Sequence, residues 1–152
     1  AFGVNGGYVT GSRDLITYLR EKAPTYIYSN PIGGSEAAAA RKRIEILRGE
    51  EGKKRLTHLR EMTRRSREGL QQIGLETIEG EHPVVPLMIR DTDKTAACVS
   101  FLRENGILAT GLNFPVVPKG EEEIRFQICA DHTPADIDHV LDVLKKYTKK
   151  GT

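Results

Sequence analysis

With 152 residues, 38% hydrophobic and 29% charged, the chain is long enough for one domain with a real core and too apolar to be disordered. A net charge of +2, from 23 Lys and Arg against 21 Asp and Glu, argues against a dedicated nucleic-acid binder. No apolar run approaches the roughly 20 residues that cross a bilayer, and residues 1–20 lack the basic start and apolar stretch of a secretory leader.

The expectation is a soluble, cytoplasmic protein that binds neither nucleic acid nor membrane. Cys98 and Cys129 are too few and too far apart for a disulfide framework or a zinc motif. Both are expected to be reduced and mostly buried, Cys98 in a helix and Cys129 in a strand. His58, His82, His132 and His139 lack metal-ligand spacing, so no metal is expected. The chain begins without Met and reads as part of something longer.

Gly3, Gly6 and Gly7 precede Tyr8-Val9-Thr10, a short predicted strand ended by Gly11. The glycines serve a tight turn or let a backbone or ligand come close. They match neither a Walker loop nor GxGxxG. Ser12 is a good N-cap for a helix over 13–22, with Leu15, Ile16 and Leu19 as its buried stripe and Pro24 as its stop. Next comes a short aromatic segment, TYIY, followed by Ser29-Asn30-Pro31. Ser29 and Asn30 either hold an anion through hydroxyl and amide donors or cap a turn.

Gly33-Gly34-Ser35 opens a helix with four alanines, Ala37 to Ala40, that runs on through Ile44 and Leu47 to Gly49. A second helix is predicted over about 52–73. Leu56, Leu59, Met62, Thr63, Ser66, Leu70 and Ile73 give it a broken apolar stripe beside a basic, solvated face. Gly74 stands where a helix-ending glycine belongs. Residues 1–74 are thus expected to be mostly helical with two short strands.

The pattern then changes. PVVPLMIR, 83–90, is an apolar run of strand length. Asp91-Thr92-Asp93 supplies an N-cap for a helix over 94–105, with Ala97, Phe101 and Leu102 inward and Gly106 closing it. Residues 107–110 read as a strand, 114–120 as a proline-punctuated loop, and 123–130 as another strand. In that strand Ile124, Phe126, Ile128 and Ala130 share one face and Arg125, Gln127 and Cys129 the other. Arg125 is either a strand arginine facing water or a planar fork for a carboxylate. Thr133 as cap, Pro134 at the first helical position and Asp136 as a near capping box start the last helix. Its apolar face is Ile137, Val140, Leu141, Leu144 and Tyr147.

Residues 83–148 therefore read strand, helix, strand, strand, helix. The fold class is α/β, with a small α+β domain over 75–152 whose sheet carries helices on one face. Residues 1–74 lack the strands for a sheet domain of their own. They are expected to be the remnant of a larger domain plus a long interdomain helix.

Four stretches resemble a known family. Residues 1–11, AFGVNGGYVTG, resemble the segment that follows the cofactor-binding lysine of an α-oxoamine synthase, a pyridoxal-phosphate enzyme of the aspartate-aminotransferase fold. YIYSNP, 26–31, resembles its aromatic-Ser-Asn/Thr segment. TGLNFPVVPKG, 110–120, resembles its proline-rich loop, and IRFQICADHTP, 124–134, its IRxQxSAAHTP motif. Together they span essentially the whole chain, and the last two jointly are specific.

The resemblance implies a homodimeric enzyme that holds pyridoxal phosphate as a Schiff base with a lysine and joins an amino acid to an acyl-CoA. By the same resemblance Arg125 binds the amino-acid carboxylate, and Ser29 and Asn30 approach the cofactor phosphate across the dimer interface. The lysine is expected just before Ala1, so the catalytic residue proper is not among these 152, and the chain alone is expected to be inactive. Asp131 departs from the family's small residue and adds a negative charge near Arg125 in sequence. NPIGG, 30–34, departs from the usual version, which makes Asn30 a weaker match than Arg125.

The PVVPKG loop favours glycine C-acetyltransferase, which makes 2-amino-3-oxobutyrate from glycine and acetyl-CoA. The second enzyme reading is 8-amino-7-oxononanoate synthase, which joins alanine to pimeloyl-CoA. The third is a non-catalytic domain that binds amino acids or pairs with itself.

Overall fold

The computed structural model describes residues 3–149. They form two compact units, divided between Lys53 and Lys54.

The first unit holds α1 (Arg13–Lys22), α2 (Pro24–Ile27), α3 (Gly34–Arg48) and the start of α4 (Glu50–Gln72). Helix α1 has the bounds its sequence predicts, because its signals are local. The Ser12 hydroxyl accepts from Leu15 N, and the Ala23 N–H closes the other end on Leu19 O. The two short strands expected here do not form. Residues 8–10 are not a strand, none occurs over residues 3–53, and the aromatic segment, whose type the sequence left open, begins in the short helix α2. Pro24 stops α1 and also stands at the first position of α2, where its missing N–H costs nothing. The predicted stripe of α1 is not buried either. Leu15 is 45% exposed, and neither α1 nor α3 contains a buried residue. Tyr18, Tyr28 and Ile27 are exposed as well.

The second unit has a core. It contains the rest of α4, then β1 (Val84–Met88), α5 (Thr92–Glu104), β2 (Thr110–Leu112), β3 (Glu123–Gln127) and α6 (Pro134–Lys149). The order strand, helix, strand, strand, helix is the predicted one. The sheet is antiparallel with β3 in the centre, in the order β1-β3-β2. The register pairs Val85 with Phe126 and Leu87 with Ile124 on one face, and all four are buried. They pack with Leu70 of α4, Cys98 and Leu102 of α5, and Val143 and Leu144 of α6. Each such aliphatic side chain removed from water stabilises the fold by about 1.5–3 kcal/mol. The opposite face of the same strands carries Pro86, Arg125 and Thr110 side by side.

Helices α4 and α5 end the same way. Gly74 and Gly106 take positive φ, 79° and 77°. The next residue reaches back five positions, Leu75 N to Leu70 O and Ile107 N to Leu102 O, each at 2.9 Å. This moves the second strand. Ile107 is spent on ending α5, so β2 begins at Thr110 rather than 107. Inside α5 the inward residues are Thr95, Cys98 and Leu102, while Ala97 is exposed.

The third strand is shorter than predicted. Beyond Gln127 the chain turns, with Cys129 N donating to His132 Nδ1 at 3.2 Å and His132 N to Cys129 O at 3.2 Å. Cys129 thus lies outside the strand and is exposed, against expectation. Cys98 is buried as expected, and burial pushes its thiol up to about 11.

Candidate substrate-carboxylate site

Arg125 sits at the middle of the central strand, flanked by Pro86 of β1 and Thr110 of β2. Strand alternation turns Ile124 and Phe126 into the core and Arg125 away from it. Its side chain is 47% exposed. The Arg125 Nε–H donates to Oε1 of Glu123 at 2.5 Å. Glu123, two residues earlier on the same strand face, has a side chain only 8% exposed. Among the described residues Nη1 and Nη2 of Arg125 hold no partner. The arrangement is a guanidinium held by one edge, with two parallel N–H groups open to solvent. That is the geometry for binding a carboxylate through both oxygens.

The proline loop between β2 and β3 is closed at its end by a second charged group. Ile89 N and Arg90 N both donate to Glu122 O, at 2.9 and 2.8 Å, with Arg90 at φ 62°. Glu122 is buried, and its Oε2 accepts from Gly120 N at 2.8 Å. Arg90 donates to Gly120 O at 3.1 Å and forks onto Glu76 through Nε and Nη2. The hydrogen bond from Arg90 holds the Glu76 carboxyl below its ordinary range. This clamp fixes the chain just before β3.

Ser29 and Asn30 lie in the first unit, directly after α2. The Ser29 hydroxyl donates to Thr25 O, one turn back. This is the helix-end contact that the turn reading anticipates. Both residues are exposed. A surface hydroxyl and carboxamide are groups that can hydrogen-bond an anion, and here the Ser29 hydroxyl is engaged by Thr25 O. The glycine segment's Ala1 and Phe2 lie outside the described residues.

Asp131 does not oppose Arg125. It pairs with Arg55 at 3.2 Å. Thr133 caps α6 as its sequence predicts, with Asp136 Oδ2 accepting from the Thr133 N–H and hydroxyl, each at 2.7 Å. Three cavities of about 240, 310 and 480 Å³ open in the second unit, and Arg125 lines none of them.

Sequence reasoning missed Glu123 and the Arg90–Glu122 clamp. A signal for Glu123 was present. The alternation that places Arg125 and Gln127 on one face, extended back by two, places Glu123 there too.

The aminotransferase class I and II family model matches residues 1–144. The chain is 37% identical over 150 residues to an 8-amino-7-oxononanoate synthase of Thermosipho melanesiensis, covering 99% of this chain and 38% of that protein. It is 38% identical over 144 residues to the enzyme of that name from Marinobacter nauticus, covering 95% and 36%. Among solved structures it superposes on SPT with PLP at TM-score 0.87 and 25% identity, over 98% of this chain and 37% of that one. The serine palmitoyltransferase of Sphingomonas wittichii, at TM-score 0.85 and 22% identity, shares the fold over 98% and 37%. The expected fold is borne out. The relatives from Thermosipho melanesiensis and Marinobacter nauticus carry the name of the second enzyme reading, not that of glycine C-acetyltransferase, which the PVVPKG loop favours. The chain spans little more than a third of the length of the relatives it matches, and it belongs to the aminotransferase class I and II family.

Proposed function

We propose that this chain is the C-terminal part of a pyridoxal-phosphate-dependent α-oxoamine synthase of the 8-amino-7-oxononanoate synthase type, joining alanine to pimeloyl-CoA. The observation that carries the reading is the 37% identity to a protein of that name over 99% of the chain. In this reading residues 75–152 are the small domain and the long α4 links it to the cofactor-binding domain.

Arg125 binds the amino-acid carboxylate through its open fork and thereby orients the Cα–H bond for removal. Its place on a central strand gives that grip a rigid base. Ser29 and Asn30 donate to the cofactor phosphate in a homodimer. Pyridoxal phosphate, when bound, supplies an electron sink for negative charge at Cα. In this reading Arg125, Ser29 and Asn30 bind and orient the substrate and the cofactor.

The PVVPKG loop favours the other enzyme reading, glycine C-acetyltransferase. Release of CoA by the full-length protein separates the two. Alanine with pimeloyl-CoA is expected to give the higher kcat/KM. Preference for glycine with acetyl-CoA would reverse the assignment.

A further inference from the structure

We propose that Glu123 is the positioning residue of Arg125: it holds the guanidinium by its Nε edge and keeps the Nη1–Nη2 fork aimed outward for an α-carboxylate. This rests on the carboxylate role just proposed for Arg125. Three observations carry it. The contact is short, 2.5 Å between Nε and Oε1. The two side chains differ sharply in exposure, 8% for Glu123 against 47% for Arg125. Both stand on the central strand, with Glu123 between Met88 of β1 and Leu112 of β2.

A buried carboxylate between two apolar neighbours is costly unless a cation meets it. The sheet fixes its position, so its partner is fixed as well. An arginine half in water otherwise samples many rotamers and gives up that freedom on binding. Anchored at Nε, Arg125 offers two parallel N–H groups with the rotamers already chosen. Glu123 takes only the edge that a substrate bound end-on does not use.

The test uses the full-length holoenzyme with the amino acid varied at saturating acyl-CoA. The probe for the fork is the amino acid compared with its carboxamide, which lacks the second oxygen. Glu123→Ala is expected to raise KM for the amino acid about ten-fold or more, the scale of one charge-assisted hydrogen bond. It is also expected to lower the discrimination against the carboxamide, with cofactor occupancy and KM for acyl-CoA unchanged. Glu123→Gln, whose Oε1 still accepts from Nε–H, is expected to restore both to near the parent values.

The proposal is overturned if Glu123→Ala keeps the parent KM and discrimination. It is equally overturned if Ala and Gln lose cofactor occupancy together, because the role is then only structural. Arg125→Ala separates the two levels. If it handles the amino acid normally, the carboxylate reading itself falls. If it is impaired while Glu123→Ala is not, only the positioning role falls.

Discussion

Gly69 of α4 lies directly against Leu141 of α6. A Cβ at Gly69 would stand 2.9 Å from Leu141 Cδ2 and 3.1 Å from Cγ, and closer still to Cδ1. Because Cγ is itself in the way, rotating the Leu141 methyls does not clear the space. Gly69→Ala gains about 1 kcal/mol of helix propensity and meets an overpacking cost of about 1–3 kcal/mol. The net expectation is a loss of about 1 kcal/mol in urea unfolding. In a Leu141→Ala background the same change is expected to stabilise. Equal effects in the two backgrounds would show that the contact does not limit the packing of α4 on α6.

The two thiols differ in environment and should differ in reactivity. Cys98 is 1% exposed, and its thiol is pushed up to about 11 by burial. Little of it is thiolate at pH 8, and no reagent reaches it in the folded state. Cys129 is exposed in the turn after β3. One thiol is expected to label quickly in native protein, with the second appearing only in denaturant. Cys129→Ser is expected to abolish the fast phase. Two fast equivalents in the native state would contradict the burial of Cys98.

Acid should loosen the start of α6. The Asp136 carboxyl is held below its ordinary value by the Thr133 backbone N–H first, then by the Thr133 hydroxyl, with His132 and His139 adding in the same direction. Its folded-state value lies below its unfolded one. The stability it contributes is therefore complete above the ordinary carboxylate range and lost as pH falls through the folded value. Asp136→Asn is expected to unfold at a lower temperature than the parent at pH 7. That gap should narrow as pH drops below about 4. A gap that stays constant into acid would show that the charge is not what the cap uses.

These local signals were legible in the sequence for a physical reason. The caps at Ser12, Asp91 and Thr133 each depend on residues within three positions, and the structure forms all three. The elements that moved depend on partners elsewhere. Ile107 looks like a strand residue by type, and only the helix-ending contact with Leu102 claims it. Leu15 and Ala97 have the spacing of inward residues, but spacing does not say what a helix face will meet. At the candidate site, alternation placed Arg125 outward correctly. The partners of Asp131 and Glu123 had to come from the fold. Asp131 meets Arg55, which is 76 residues away in sequence.

Arg125 is the proposed ligand of the amino-acid carboxylate. The direct measurement is amino-acid affinity in the full-length holoenzyme carrying Arg125→Ala, read beside cofactor occupancy. Loss of a two-bond, charge-assisted grip is expected to weaken the amino acid by about a hundred-fold, with cofactor occupancy little changed. An unaltered affinity for the amino acid in that variant would contradict the account.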